Sequence, residues 1–175
     1  NSGPGGIAGA FINQNHLGKN DIPRFEGWWG QNKKNRFKME PQFDAIPTAE
    51  AWQLSNPPIF QLASLRASME IFDQATLPAL RAKGDLLTSY FEQLIQTELA
   101  GEVSIVTPEL PHRGSMLCLR FKSSPHKWIK TLRKRGVFVD FREPDIIRAT
   151  PIPLYNSFAD VSELVQIFKS VIHEP

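Results

Sequence analysis

Two adjacent prolines, Pro57 and Pro58, divide this chain into stretches of different character, and they constrain its fold more than any other feature. Proline belongs in the first turn of a helix, where the missing N–H has no intrahelical acceptor to lose. Beyond them the apolar set Leu62, Leu65, Met69 and Phe72, flanked by Ile59, Ala63 and Ile71, has helical spacing. The apolar face is wide, so this helix is expected to be buried on more than one side. Thr76 is expected to cap a second helix, with Pro78 in its first turn, Leu80, Leu87, Tyr90, Phe91, Leu94 and Ile95 on one face, and an end near Ala100-Gly101. Strands are expected at 103–106, 115–121, 137–141 and 146–149, with Leu117, Leu119 and Phe121 on one face of the second. Ser124-Pro125 opens a helix that closes at Gly136, and Cys118 reads as a buried, inert strand residue. Ser157 with Asp160 resembles a capping box ahead of a last helix whose inner side carries Phe158, Val161, Leu164, Val165, Phe168 and Ile172. The pattern is a small C-terminal α+β domain of about 100 residues.

Upstream of the prolines the chain is irregular. Residues 1–6 form a glycine-rich turn, and Ile7-Ala-Gly-Ala-Phe-Ile12 reads as a short buried strand whose small residues admit close neighbours. Residues 13–26 and 43–55 carry turn signals, including Asn20, and prolines that exclude a helix interior. One strand and long loops do not make an independent domain. Residues 1–60 are therefore expected to finish a larger domain, with 61–175 forming the small domain and its linking helix. Because Asn1 is not methionine and begins a tight turn, the chain is expected to be the later part of a longer polypeptide.

Composition excludes several partners. A formal charge of +2 favours neither nucleic acid nor an anionic membrane surface. No apolar run approaches the roughly 18 residues of a membrane span, and no signal pattern opens the chain. Cys118 is the single cysteine, so a reducing, cytoplasmic setting is expected. The cations Lys127, Lys130, Arg133, Lys134 and Arg135 read as the solvated face of a helix whose buried side is Trp128, Ile129 and Leu132. His16, His112, His126 and His173 lack metal-ligand spacing, and no metal is expected.

Three features point to chemistry. Residues 27–39 place Trp28 and Trp29 between Gly27 and Gly30, beside several amide and cationic donors. An indole N–H donates without accepting, which suits a phosphate oxygen, although two aromatics at a domain or subunit seam would look the same. Ser55 and Asn56 stand just before a helix start, where free backbone N–H groups favour anions; a plain helix cap is the alternative. Arg148 lies on a short strand ahead of a stiff loop, Thr150 to Asn156, and suits bidentate capture of a carboxylate. An exposed strand arginine or a structural ion pair remains the alternative.

Five motifs in order, Asn-Ser-Gly-Pro-Gly-Gly-Ile-Ala-Gly-Ala-Phe at 1–11, Gly-Trp-Trp-Gly at 27–30, Arg-Phe-Lys-Met at 36–39, Ser-Asn-Pro-Pro at 55–58 and Ile-Arg-Ala-Thr-Pro-Ile-Pro-Leu-Tyr-Asn-Ser-Phe at 147–158, resemble the C-terminal part of the kynureninase family. These are pyridoxal 5'-phosphate enzymes of the aspartate aminotransferase fold, fold type I. The resemblance implies a truncated α/β cofactor domain followed by the small α+β domain. It implies hydrolysis of L-kynurenine or 3-hydroxykynurenine to anthranilate or 3-hydroxyanthranilate and L-alanine, by a homodimer with shared active sites. The Schiff-base lysine is implied to lie before Asn1, so no catalytic residue is assigned and the chain alone is expected to be inactive, without bound cofactor. By position, Trp28 and Asn56 match residues that contact the cofactor phosphate. Asn56, Ser55 and Gln31 match the surround of the substrate's aromatic ring, with glutamine at 31 where some members carry histidine. Arg148 matches the arginine that receives the substrate α-carboxylate. Two other readings stay open: another enzyme of the same fold, an aminotransferase or cysteine desulfurase, and a non-enzymatic dimerisation module. Apolar surface left uncovered predicts self-association.

Overall fold

The apolar and polar residues of the downstream half alternate so that one face of a small sheet can be sealed by helices. A computed structural model describes residues 3, 5–19 and 21–173, and divides the chain into two compact units, Asn1–Phe72 and Asp73–Pro175. In the second unit, four antiparallel strands, β1 (Val103–Ile105), β2 (Leu117–Phe121), β3 (Asp140–Arg142) and β4 (Ile146–Ala149), lie in the order β1-β2-β4-β3. Register pairs Leu117 with Ala149, Leu119 with Ile147, and Phe141 with Ile147. Leu117, Leu119, Phe121, Ile147 and Ala149 are all buried on the inner face.

Two long helices cover that face. Helix α2 (Leu77–Glu98) contributes Leu87, Phe91 and Ile95, and α4 (Phe158–His173) contributes Val161, Val165, Phe168 and Val171 to one core. Phe121 lies at its centre, edge-on to Trp128 at 5.6 Å and to Phe168 at 5.5 Å between ring centroids. Both helix starts are secured by side chains. Thr76 accepts from the Ala79 N–H. Ser157 and Asp160 close a reciprocal box: the Ser157 N–H donates to the Asp160 carboxylate at 2.8 Å, and the Asp160 N–H donates to the Ser157 hydroxyl at 3.3 Å.

The first unit contains short 3-10 turns at Gln14–His16, Trp28–Gly30 and Ala49–Trp52, an isolated bridge between Gln31 and Ala45, and helix α1 (Ile59–Ala75), whose last residues run past Phe72. Among the described residues, no helix is long and apolar enough to cross a membrane.

Several expectations require correction. The segment from Ile7 to Ile12 is not a buried strand: it pairs with no other strand among the described residues, and Phe11 is 89% exposed. A strand needs a neighbour to satisfy its backbone, and the chain described here supplies none. Helix α1 has no buried residue, and Phe60, Met69 and Ile71 are exposed, so its broad apolar face lacks the cover expected for it. The expected strand at 137–141 begins only at Asp140, because pairing with β4 starts there. The strand at 115–121 likewise begins at Leu117. The helix expected over 124–136 is a 3-10 turn, Pro125–Trp128, followed by the single short helix α3 (Ile129–Lys134) and Gly136 at φ 78°. Cys118 is half-buried rather than buried, because it falls on the outer face of β2. Phe158 is exposed at 44%, resting edge-on against Tyr90, while Val171 takes a core position not anticipated for it. The turn residues Asn1, Ser2, Pro4 and Asn20 lie outside the described residues.

Candidate functional site

Close backbone approach explains the glycines around the tryptophan pair. Gly27 has φ −118° and ψ 149°, a conformation open to any residue, yet a Cβ there would fall on the Leu54 backbone. At Gly30 a Cβ would lie 2.7 Å from the Ala51 carbonyl oxygen. The Trp28–Gly30 turn thus sits directly on the segment that leads into Ser55 and Asn56. Trp28 and Trp29 meet edge to face at 5.4 Å, and the Arg36 guanidinium lies over both rings, 5.5 Å and 5.0 Å from their centroids. Arg36 also donates to the Trp29 and Gln31 carbonyls, which ties the turn to the segment that follows it.

This arrangement separates the two indoles. Trp29 is half-buried, whereas Trp28 is 45% exposed and its indole N–H has no acceptor among the described residues. Gln31 is buried and engaged at both ends of its amide: its oxygen accepts from the Asp44 N–H at 3.0 Å and its nitrogen donates to Asn35 at 3.0 Å. Asp44 in turn receives Asn32 and Asn35, both at 2.9 Å. The Gln31 amide therefore shapes the loop from within.

Ser55 and Asn56 are exposed and line an open cleft of about 520 Å³, together with Ile7, Ala10, Pro57 and Leu62. The cleft sets Ile7, Ala8 and Ala10 beside residues 55–58. The Asn56 carboxamide has no hydrogen-bond partner among the described residues. An exposed indole N–H and an uncommitted carboxamide, set on adjoining backbone, are donors of the type that a phosphate monoester requires. The chemistry of this donor set is thus compatible with a phosphate group.

In the second unit, Arg148 stands on the outer face of β4, in register with Cys118 of β2 and Asp140 of β3. Its side chain is 34% exposed. Nε donates to Asp140 Oδ2 at 2.6 Å, and a second nitrogen of the same guanidinium reaches the same oxygen. Arg142 Nε joins them at 3.0 Å. Hydrogen bonds from Arg148, and secondarily from Arg142, hold the Asp140 carboxyl below the usual aspartate range, against some desolvation. Sequence reasoning placed Arg148 but missed Asp140. A hairpin centred on Pro144 that pairs Arg142 with Ile146 must also pair Asp140 with Arg148, and that symmetry was the available signal. The loop after β4 is stiffened by Asn156, whose side-chain oxygen accepts from the Ile152 N–H at 2.8 Å. Among the described residues no group of three or more His, Cys, Asp or Glu side chains could hold a metal ion.

An antiparallel sheet backed by two helices is the fold that this unit shares with the small domain of fold-type-I pyridoxal-phosphate enzymes. Solved structures agree on the fold. The chain resembles an apo cysteine desulfurase from Thermococcus onnurineus NA1 with a TM-score of 0.66 and 14% identity, over 85% of this chain and 38% of that one. It resembles a mutant of the cystine C–S lyase C-DES with glycine linked to its cofactor at a TM-score of 0.61 and 15% identity, over 84% and 37%. The model of the kynureninase C-terminal domain matches residues 80–168, just over half of the chain, and the chain belongs to the kynureninase family. It is 53% identical to a kynureninase of Myxococcus xanthus over 99% of this chain and 41% of the relative. To kynureninases of Xanthomonas campestris and Nematostella vectensis it is 49% and 43% identical, over 95% and 97% of this chain. The chain spans about two-fifths of the length of these relatives.

Proposed function

We propose that the protein containing this chain is a homodimeric, pyridoxal-phosphate-dependent hydrolase that cleaves L-kynurenine or 3-hydroxykynurenine to the corresponding anthranilate and L-alanine. The observation that carries the reading is Arg148. It is a half-exposed guanidinium with Nε and one terminal nitrogen engaged and the other terminal nitrogen, NH1, without a partner among the described residues, in a chain of the kynureninase family. An α-amino acid substrate presents a carboxylate, and a guanidinium edge is the planar partner for it.

In this mechanism Trp28 and Asn56 donate to the cofactor phosphate, and Ser55 with Asn56 borders the aromatic ring of the substrate. Gln31 acts through the loop that carries Trp28. Pyridoxal phosphate, when bound, supplies the electron sink for the pair left at the substrate Cα. Arg148 grips the carboxylate, which restricts rotation of the substrate about Cα and so contributes orientation rather than proton transfer. Water supplies the atoms that convert the cleaved ketone into a carboxylic acid. The lysine that carries the cofactor is assigned to the part of the family's chain that precedes Asn1.

The test is Arg148→Lys in the complete enzyme, where a point charge replaces the planar fork. The substitution is expected to lower kcat/KM on L-kynurenine by roughly 2–5 kcal/mol of transition-state binding while cofactor absorbance is retained. Near-normal turnover would remove Arg148 from the site.

A further inference from the structure

We propose that Asp140 is a positioning residue for Arg148, holding its guanidinium side-on so that the end-on edge faces the substrate α-carboxylate; this rests on the role assigned to Arg148 above. A guanidinium offers two bidentate edges, one through Nε and a terminal nitrogen and one through the two terminal nitrogens. Asp140 Oδ2 occupies the first. The described residues leave NH1 on the second without a partner. The strand register makes the contact rigid, because Asp140 and Arg148 are direct cross-strand partners on the outer face.

Charge is consistent with a brace rather than a plug. Asp140 also accepts from Arg142, so two guanidinium groups share one carboxylate and the cluster keeps one net positive charge. An arginine neutralised by its own private carboxylate would have little left for an incoming anion. Here Arg142 offsets the competitor, while Asp140 fixes the direction in which Arg148 points.

The experiment compares two competitive ligands of the complete holoenzyme by equilibrium binding: a substrate analogue with its α-carboxylate and the same analogue lacking it. Asp140→Asn and Asp140→Ala are expected to weaken the carboxylate ligand on the order of tenfold, leaving the other within about twofold. In an Arg148→Ala background, Asp140→Ala is expected to add nothing further. Equal weakening of both ligands, or a full additional loss in the Arg148→Ala background, overturns the positioning role. Arg148→Ala that abolishes carboxylate preference while Asp140→Asn and Asp140→Ala preserve it overturns the role of Asp140 alone. Carboxylate preference that survives Arg148→Ala overturns the assignment of Arg148 itself.

Discussion

Replacing Gly30 by alanine tests whether the tryptophan turn is seated on the Ala49–Trp52 turn in the way that orders the site. Gly30 is buried, and its backbone does not occupy the left-handed region, so alanine meets no conformational penalty there. The whole cost is steric. The new methyl would sit 2.7 Å from the Ala51 oxygen, 3.0 Å from its carbonyl carbon and 3.1 Å from its Cα. Restoring an ordinary contact requires a shift of about 0.7 Å in backbone atoms, which no rotamer change can supply. That backbone is itself held, since the Ala51 N–H donates to Thr48 and the Gln53 N–H to Glu50, at 3.1 Å and 3.0 Å. Gly30 is likewise fixed, its carbonyl accepting from the Ile46 N–H at 3.0 Å. Overpacking of this kind costs about 1–3 kcal/mol. Gly136→Ala is the contrasting control: φ is 78° and nothing lies within 4 Å of the added atom, so only backbone strain of about 1 kcal/mol is expected. Urea unfolding followed by tryptophan emission reports both changes, with Trp28, Trp29 and Trp52 all near the Gly30 contact. Gly30→Ala should also shift the native emission, whereas Gly136→Ala should leave it unchanged. Stability within about 0.5 kcal/mol of the parent, with unaltered emission, would refute the seating of one turn on the other.

Other outcomes follow from single contacts. Arg113 has a side chain only 2% exposed, bonded to Glu92 at 2.7 Å, with Nε and NH1 lacking partners, so Glu92→Ala leaves a buried cation without its acceptor. A loss of about 3 kcal/mol is expected, at the low end of the range because Glu92 retains some water contact; less than 1 kcal/mol by urea unfolding would contradict it. Asp140 titrates below the usual aspartate value when folded, so its contribution to stability is complete above the unfolded value of about 4 and disappears as pH falls toward the native value. The stability difference between the parent and Asp140→Asn should therefore shrink between about pH 5 and pH 2, and a constant difference would argue against the ion pair. Removing the capping hydroxyl with Ser157→Ala should cost about 1 kcal/mol and raise the Asp160 pKa only in part, because the Ser157 backbone N–H, the larger cause of its lowering, stays in place while the hydroxyl is lost; carboxylate titration by NMR checks the second effect.

Elements that bury one face were legible from residues alone. Leu117, Leu119 and Phe121 fall on alternate positions of one strand, and Val161, Val165 and Phe168 repeat at helical spacing, so local pattern and tertiary burial point the same way. Ile7 to Ile12 and α1 carry equally apolar patterns but lie uncovered, because periodicity states that a face needs cover without stating where the cover comes from. In the candidate site, Trp28, Asn56 and Arg148 stand out by residue type and by their place in the motifs. The Gly27 and Gly30 contacts and the Asp140 partner do not, since each depends on which backbone or strand lies opposite. Gln31 matches the surround of the substrate ring by position alone; its amide is bonded to Asn35 and Asp44 within the loop, contacts that residue type does not reveal.

The central claim is that this chain belongs to an enzyme that hydrolyses the side chain of kynurenine. Incubating the complete, cofactor-loaded protein with L-kynurenine and identifying products by mass tests it most directly. Equal amounts of anthranilate and L-alanine are predicted; an α-keto acid retaining the aryl ketone, or unchanged substrate, would contradict the account.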